Sequence, residues 1–404
     1  MPEFWIKTNK SSVNIMKDLY LTLPPFAPDY GGACETMYEL GGLVLICDAS
    51  GCTVNYVSFD EPRWHTRPGN VFCSGLTEIE AVMGDDEAVI QKALKAAEIL
   101  KPNFIAYVGS SVPMIVGTDF AGSARETEER SGIPSFGFDC NGIRSYVEGA
   151  SEVLLSLVKR FALPDKKSLK KQTLSQNQIS SQLQTLSQDQ DPLQKTRKKD
   201  SVEEGDSGKD FISGSSPENL GGTVLLGLLP LDDASLEASE RVRGLFPDLQ
   251  SSLSFHCSLE DLRNVRYAKQ LVVVSRSGLK AAEYLSETYH IPYTVGLPLE
   301  SCNGLHKSTL VIGEDVRAYS LAKALGNADA LDLFSKDGLS RYHTADEEEI
   351  RAIVSRYGNV IGDPVFKPFV RGNFVPLPTV SVSGGIFKET VNALDTKAIE
   401  ERLV

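Results

Sequence analysis

Short runs of aliphatic and β-branched residues alternate along the chain with stretches whose apolar positions recur every three or four residues. Residues 43–47 and 104–108 are continuous apolar runs of strand length, and the spacing between them predicts helices over 75–83 and 86–100. After Gly109 the pattern reads as a loop, a helix over 119–130 and a strand over 134–138. The turn Cys140-Asn141-Gly142 then leads into a helix that runs to Phe161. The same alternation resumes at Thr223, where 223–229, 252–256, 271–274, 293–295 and 309–312 read as buried strands bounded by Gly, Pro and Ser. Ser258 and Asp261 form a capping pair ahead of a helix over 262–268, and Ser277-Gly278 opens an amphipathic helix to Tyr289. A helix over 346–357, a strand over 359–361 and a Pro- and Gly-rich tail that should pack back complete the pattern. Strands that are apolar throughout, separated by helices, are the mark of parallel βαβ sheets covered on both faces.

Two breaks divide this rhythm. Residues 165–219 are rich in Gln, Ser, Lys and Asp and contain one aromatic, Phe211, so they lack the apolar content of a core. The weak 3–4 spacing of Ile179, Leu183 and Leu186 is compatible with a transient or partner-induced helix, but the segment reads first as a disordered polar linker. A second break falls near Ser301–Gly304. The expected organisation is α/β, with three Rossmann-like domains of parallel sheet over 1–164, 220–304 and 305–404 and a disordered insertion between the first and second. A length of 404 residues suits several such cores.

Composition narrows the function more than the fold. A net charge of −13 argues against nucleic-acid binding, which needs a basic face. No run is long and apolar enough to span a bilayer, and residues 1–20 lack the apolar core and cleavage site of a secretion signal, so no membrane association and a cytoplasmic location are expected. The sequence holds no G-x-x-x-x-G-K-[ST], no G-x-G-x-x-G after a strand, no G-x-S-x-G, no H-E-x-x-H and no C-x-x-C. Any step driven by ATP therefore needs another chain. The five histidines are scattered, and His256, beside Cys257 at the end of an apolar run, reads as a satisfied strand-end residue.

Seven unevenly spaced cysteines do not make a disulfide framework, but Cys34, Cys47, Cys52 and Cys73 lie close together in sequence. Cys34 follows a proline-rich loop in PDYGGAC, Cys52 sits in DASGCTVNY just past a strand, and Cys73 sits in NVFCSGL at a helix start. Loops beside element ends offer free backbone N–H groups to sulfur, and a helix N-terminus lowers a thiol pKa. Gly31, Gly32, Gly51 and Gly75 flank the three, and small neighbours let the backbone approach an inorganic core. Composition alone equally fits ordinary buried thiols. Cys47 alternates into LVLIC and reads as a strand residue, Cys140 suits site lining or packing, and Asp60, Glu61 and Arg63 fit either a salt-linked loop or a solvated turn.

The stretch FAPDYGGACETMYELGGLVLICDASGCTVNYVSFDEPRW, followed by FCSGLTEIEAVMGDD, resembles the N-terminal region of the nitrogenase component 1 family. NFIAYVGSSVPMIVGTDF, SGIPSFGFDCNG and LRNVRYAKQLVVVSRSGLKAAEYLSETYHIPY resemble later parts of the same family. The resemblance implies that Cys34, Cys52 and Cys73 bind an iron-sulfur cluster, 4Fe-4S or larger and P-cluster-like, at a subunit interface; Gly51 and Gly75, as small neighbours, and Cys140, at a strand's carboxyl end, are read as cofactor-binding residues beside it. Three thiolates cannot complete the usual four-cysteine set, so a homodimer or a heterodimer with a related subunit is expected. It also implies an oxidoreductase that takes low-potential electrons from an ATP-dependent iron-sulfur reductase. A metallocofactor-assembly scaffold and a redox-silent ligand-binding module are the alternatives. Where catalytic relatives carry the cysteine and histidine of the active-site metallocofactor, this chain has Val274 or Ser275 and, in a loose alignment, Thr379, so no molybdenum cofactor is expected.

Overall fold

The computed structural model describes residues 21–163, 221–302, 304, 308–326 and 328–403. The segment read as a linker lies outside them. Three sheets follow one another along the chain, and every strand pair in them is parallel. The first holds β1 (Leu43–Ile46), β2 (Val71–Cys73), β3 (Ile105–Val108) and β4 (Ser135–Phe138) in the order β2-β1-β3-β4. The second holds β5 (Thr223–Leu226), β6 (Leu249–Ser252), β7 (Gln270–Val273) and β8 (Tyr293–Val295) in the order β6-β5-β7-β8. The third holds β9 (Thr309–Gly313), β10 (Asp329–Asp332), β11 (Tyr342–His343), β12 (Asn359–Gly362) and β13 (Asn373–Pro376), ordered β11-β10-β9-β12-β13. The expected α/β class with three parallel sheets is what the chain adopts.

In each sheet the strand order reverses beside the first strand, between β1 and β3, β5 and β7, and β9 and β12. The loops leaving those strands diverge there, and a crevice opens at the carboxyl ends. The helix Tyr146–Phe161 joins the cores. Its Val153, Leu154 and Leu157 pack in a cluster shared by the first and second sheets, while Tyr146, Val147 and Ala150 belong to the core around Leu310, Ile312 and Phe366 of the third. Its pairing with the helix Asp29–Met37 is close because Gly32 and Gly149 lack side chains. A Cβ on Gly32 would lie 2.1 Å from the Tyr146 carbonyl oxygen, and one on Gly149 would lie 2.0 Å from that of Asp29.

Several expected elements are placed differently. Residues 253–256 are a turn, with Ser254 and His256 at φ +87° and +50°, and the strand expected over 252–256 lies just before it at Leu249–Ser252. The helix expected over 75–83 begins only at Glu78, where Thr77 and Glu80 form a capping box. The Ser258/Asp261 capping box is present, but its helix runs Leu259–Asn264, earlier than expected.

Candidate functional site

Asp48, two residues after the end of β1, organises the first crevice. Its Oδ2 accepts the Cys52 N–H at 2.8 Å, its backbone oxygen lies 3.2 Å from Cys73 Sγ, and Ser74 Oγ accepts the Asp48 N–H at 3.1 Å and donates to the Asp48 carbonyl at 3.3 Å. The Gly75 N–H points at Cys73 Sγ at 3.3 Å. Because β1 and β2 are register partners through Ile46 and Cys73, the loops carrying Cys52 and Cys73 leave the same sheet edge side by side. Both thiols are partly exposed. A Cβ on Gly51 or Gly75 would meet nothing within 4 Å, so open space adjoins each cysteine loop.

Cys34 belongs to the buried core cluster against which Cys52 packs. The expectation that it ends a loop is corrected: the helix Asp29–Met37 starts directly after Pro28, and Cys34 lies in it fully buried. Tyr30, one turn earlier on the same face, accepts a hydrogen bond from Asn55 Nδ2 at 3.4 Å, and its phenol is close enough to Cys52 to be perturbed by it. Cys140 follows β4 and faces Cys34 electrostatically. Asp29 holds its turn, accepting the N–H groups of Asn141 at 2.9 Å and Gly142 at 2.8 Å and Arg144 Nε at 3.1 Å. Cys73 ends β2, five residues before the next helix, and not at a helix start. Gly32 serves helix packing, not approach to a cluster, and Gly31 abuts Asp60 Oδ2.

Cys34, Cys52 and Cys140 are not poised as free thiolates, contrary to the expectation drawn from helix N-termini. Burial pushes Cys34 well up, reinforced by Cys140, Glu61, Asp60 and Asp29, and Cys140 is raised by burial and then by Asp29. Cys52, in the first turn of the helix Gly51–Asn55, is raised by burial and by Asp48. A five-residue helix has too little dipole to offset an adjacent carboxylate. Asp60 is itself pushed up to about 7 by burial beside Glu61. Such a pocket disfavours negative charge unless a cation shares it. Cys47 is a buried residue whose thiol reaches only the Leu45 carbonyl, at 3.8 Å.

Of the two readings of the FDEPRW stretch, the salt-linked one is correct. Arg63 donates to both Glu61 oxygens at 2.7 and 2.8 Å, to the Glu35 carbonyl at 3.0 Å and to the Ser254 carbonyl at 3.3 Å. It also lies 3.4 Å from Glu39 Oε2 and stacks over Tyr38. His256 sits in the same joint, its N–H on Glu39 and its ring on Glu240 at 2.6 Å. Around the cysteine edge, large apolar side chains are left in solvent. Ile79 is 76% exposed, Ile115 77% and Ile143 78%, and Val54, Phe59 and Phe72 are also exposed. The helices Glu78–Met83 and Ser111–Val116 touch, and Ser111 Oγ bonds the Asn141 carbonyl two residues before Ile143, so Ile79, Ile115 and Ile143 lie on adjoining elements.

The crevices of the second and third sheets hold a different chemistry. Val274 and Ser275 are fully buried after β7, with Ser275 Oγ bonded to Ser277 at 3.2 Å, and Thr379 donates its N–H to Asp363 at 2.9 Å. Asp232, Asp233 and Glu314 converge there with Arg317. These residues went unnoticed in the sequence, although acids directly after the apolar runs in LLPLDD and VIGED were a signal. Glu314 Oε1 accepts the Arg276 N–H at 2.7 Å and Oε2 the Arg317 N–H at 3.1 Å, so it caps the helix Asp315–Ala324. Among the described residues no helix is long and apolar enough to cross a membrane.

A nitrogenase component 1 type oxidoreductase family model matches residues 29–303. No curated protein matches the sequence. A solved structure of nitrogenase Cp1 at pH 6.5 superposes with a TM-score of 0.60 at 10% identity, covering 96% of this chain and 94% of that one. A second, of nitrogenase Cp1 at pH 5, gives 0.49 at 14% identity over 96% and 79%. The family match spans both the cysteine edge and the second sheet, more than half of the chain, and the chain belongs to the nitrogenase component 1 type oxidoreductases.

Proposed function

We propose that this chain is an electron-transfer subunit that holds an iron-sulfur cluster through Cys34, Cys52 and Cys73 at an interface with a second subunit of the same fold, taking electrons from an ATP-dependent iron-sulfur reductase. The observation that carries the reading is the coincidence of two features on one edge: soft sulfur donors beside open space, and a surface of exposed Ile79, Ile115 and Ile143 that water disfavours. The donor set suits the group, since the acids that raise the thiols would be offset by iron. A bound cluster supplies one-electron storage at low potential. The chain's own part is to hold the sulfurs on the Asp48 loop and the buried helix, to donate the Gly75 N–H toward Cys73 Sγ, and to keep water from the edge once the apolar surface is covered. Val274 and Ser275 offer no thiolate after β7, so the reading includes no molybdenum cofactor bound in the family's way.

Replacing Ile115 with Asp puts a charge into that covered surface. Sedimentation velocity should shift from a dimer to a monomer, with loss of bound iron in the same fractions. A dimer that persists with full iron would refute the placement of the interface.

A further inference from the structure

We propose that the crevice at the carboxyl ends of β5 and β9 binds a small organic cation, an ammonium group on a short apolar body, anchored by Asp232. Leu297, Leu299, Val311, Leu321, Leu377 and Leu394 line it together with Asp232, Asp233, Glu314 and Arg317. Its free space is about 80 Å³. That is roughly six water-sized positions, room for a ligand of about half a dozen heavy atoms.

The sign of the ligand follows from the charges. Of the four carboxylates lining it, Glu389 is paired with Arg241 at 2.6 Å, which leaves Asp232, Asp233 and Glu314 against one guanidinium; Arg317 Nη2 stands 3.4 Å from Asp233 Oδ2, which also accepts Ser239 Oγ at 2.8 Å. Glu314 has both oxygens on backbone N–H groups. Asp232 differs: Oδ1 accepts the Tyr146 hydroxyl, while Oδ2 makes no hydrogen bond although the residue is only 6% exposed. Ser275 Oγ accepts from Ser277 Oγ at 3.2 Å, and its own hydroxyl lies near this carboxyl without bonding Oδ2. A buried carboxylate oxygen without a donor is costly, and an ammonium supplies both the donor and the charge. Burial raises Asp232 and Glu314 above the usual carboxylate range, as expected of a site lacking its counter-charge. An anionic ligand would gain the unpartnered Arg317 Nε but would meet Asp232, Asp233 and Glu314 together.

The inference uses none of the cysteines, so iron content of the same samples separates its failure from failure of the cluster reading. n-Pentylammonium, pentanol and pentanoate are titrated against the full chain near pH 8 with ligand-observed NMR. The ammonium should bind saturably and at least about tenfold more tightly than the alcohol, the margin of one charged hydrogen bond. Asp232→Asn should lose that margin, and Leu394→Trp, which fills the crevice from its rim and leaves Asp232 intact, should weaken all three probes. Circular dichroism confirms that each variant is folded. No binding, equal binding of all three, preference for pentanoate, or wild-type affinity in both variants would overturn the proposal.

Discussion

Arg63→Met tests whether the joint between the first and second sheets depends on one buried cation. The arginine side chain is 5% exposed and Glu61 is fully buried, with Glu39 9% exposed. Methionine retains the apolar stem but removes the donors to Glu61, Glu39 and the Glu35 and Ser254 carbonyls. Breaking a buried pair by deleting one partner costs about 3–5 kcal/mol, because the other charge stays buried. Against a total stability of about 5–15 kcal/mol the variant should be folded but fragile. Urea unfolding followed by Trp64 fluorescence in a Trp5→Phe background reads the site, since Trp64 packs against this core. Midpoints are compared at constant m. Combining Arg63→Met with Glu61→Gln removes the stranded charge and should recover about 2 kcal/mol of the loss. A single-variant cost below about 1 kcal/mol, or a double variant no better than the single one, would refute the reasoning.

Gly32→Ala places a methyl 2.1 Å from the Tyr146 carbonyl oxygen, and forcing the two helices apart should lower stability by about 1–3 kcal/mol or more in thermal melts. Cys47→Ala should leave bound iron unchanged while Cys52→Ala and Cys73→Ala lower it, and iron analysis showing the reverse would exchange the strand and ligand assignments. Asp332, whose carboxyl burial pushes up to about 6 from 3.8, takes up a proton more readily folded than unfolded. Its protonation therefore stabilises the fold fully below about pH 3.8, and that contribution is lost as pH rises through about 6. Between pH 4 and pH 7, Asp332→Asn should gain on the wild type by up to about 3 kcal/mol in urea unfolding, at 1.36 kcal/mol per pKa unit. A constant difference between the two would contradict the sign.

What the sequence revealed followed burial on both faces. The apolar runs at β1, β3, β5, β7 and β9 and the helix Asp86–Leu100 could be read because parallel strands are apolar throughout and that helix keeps one face buried. Three elements were hidden for separate reasons. β10 reads DALD and β13 ends in Pro376, so neither resembles a strand until the third sheet supplies its hydrogen bonds. The helix Asp29–Met37 contains two glycines that local propensity penalises, and Gly32 is there because the Tyr146–Phe161 helix comes so close. In the cysteine region, residue types and spacing indicated sulfur chemistry. Neither Asp48 nor Tyr30 could be linked to Cys52 before the loops after β1 and β2 were seen side by side. Raised thiols depend on carboxylates such as Asp60 and Glu61, which sequence placed near but could not show to be buried.

The most direct test is an iron and acid-labile sulfide count on anaerobically purified protein, with EPR of the dithionite-reduced sample. The account predicts stoichiometric iron and sulfide, a cluster signal, and loss of both in Cys52→Ala. Protein that stays colourless and free of iron after anaerobic purification and reconstitution with iron and sulfide would contradict it.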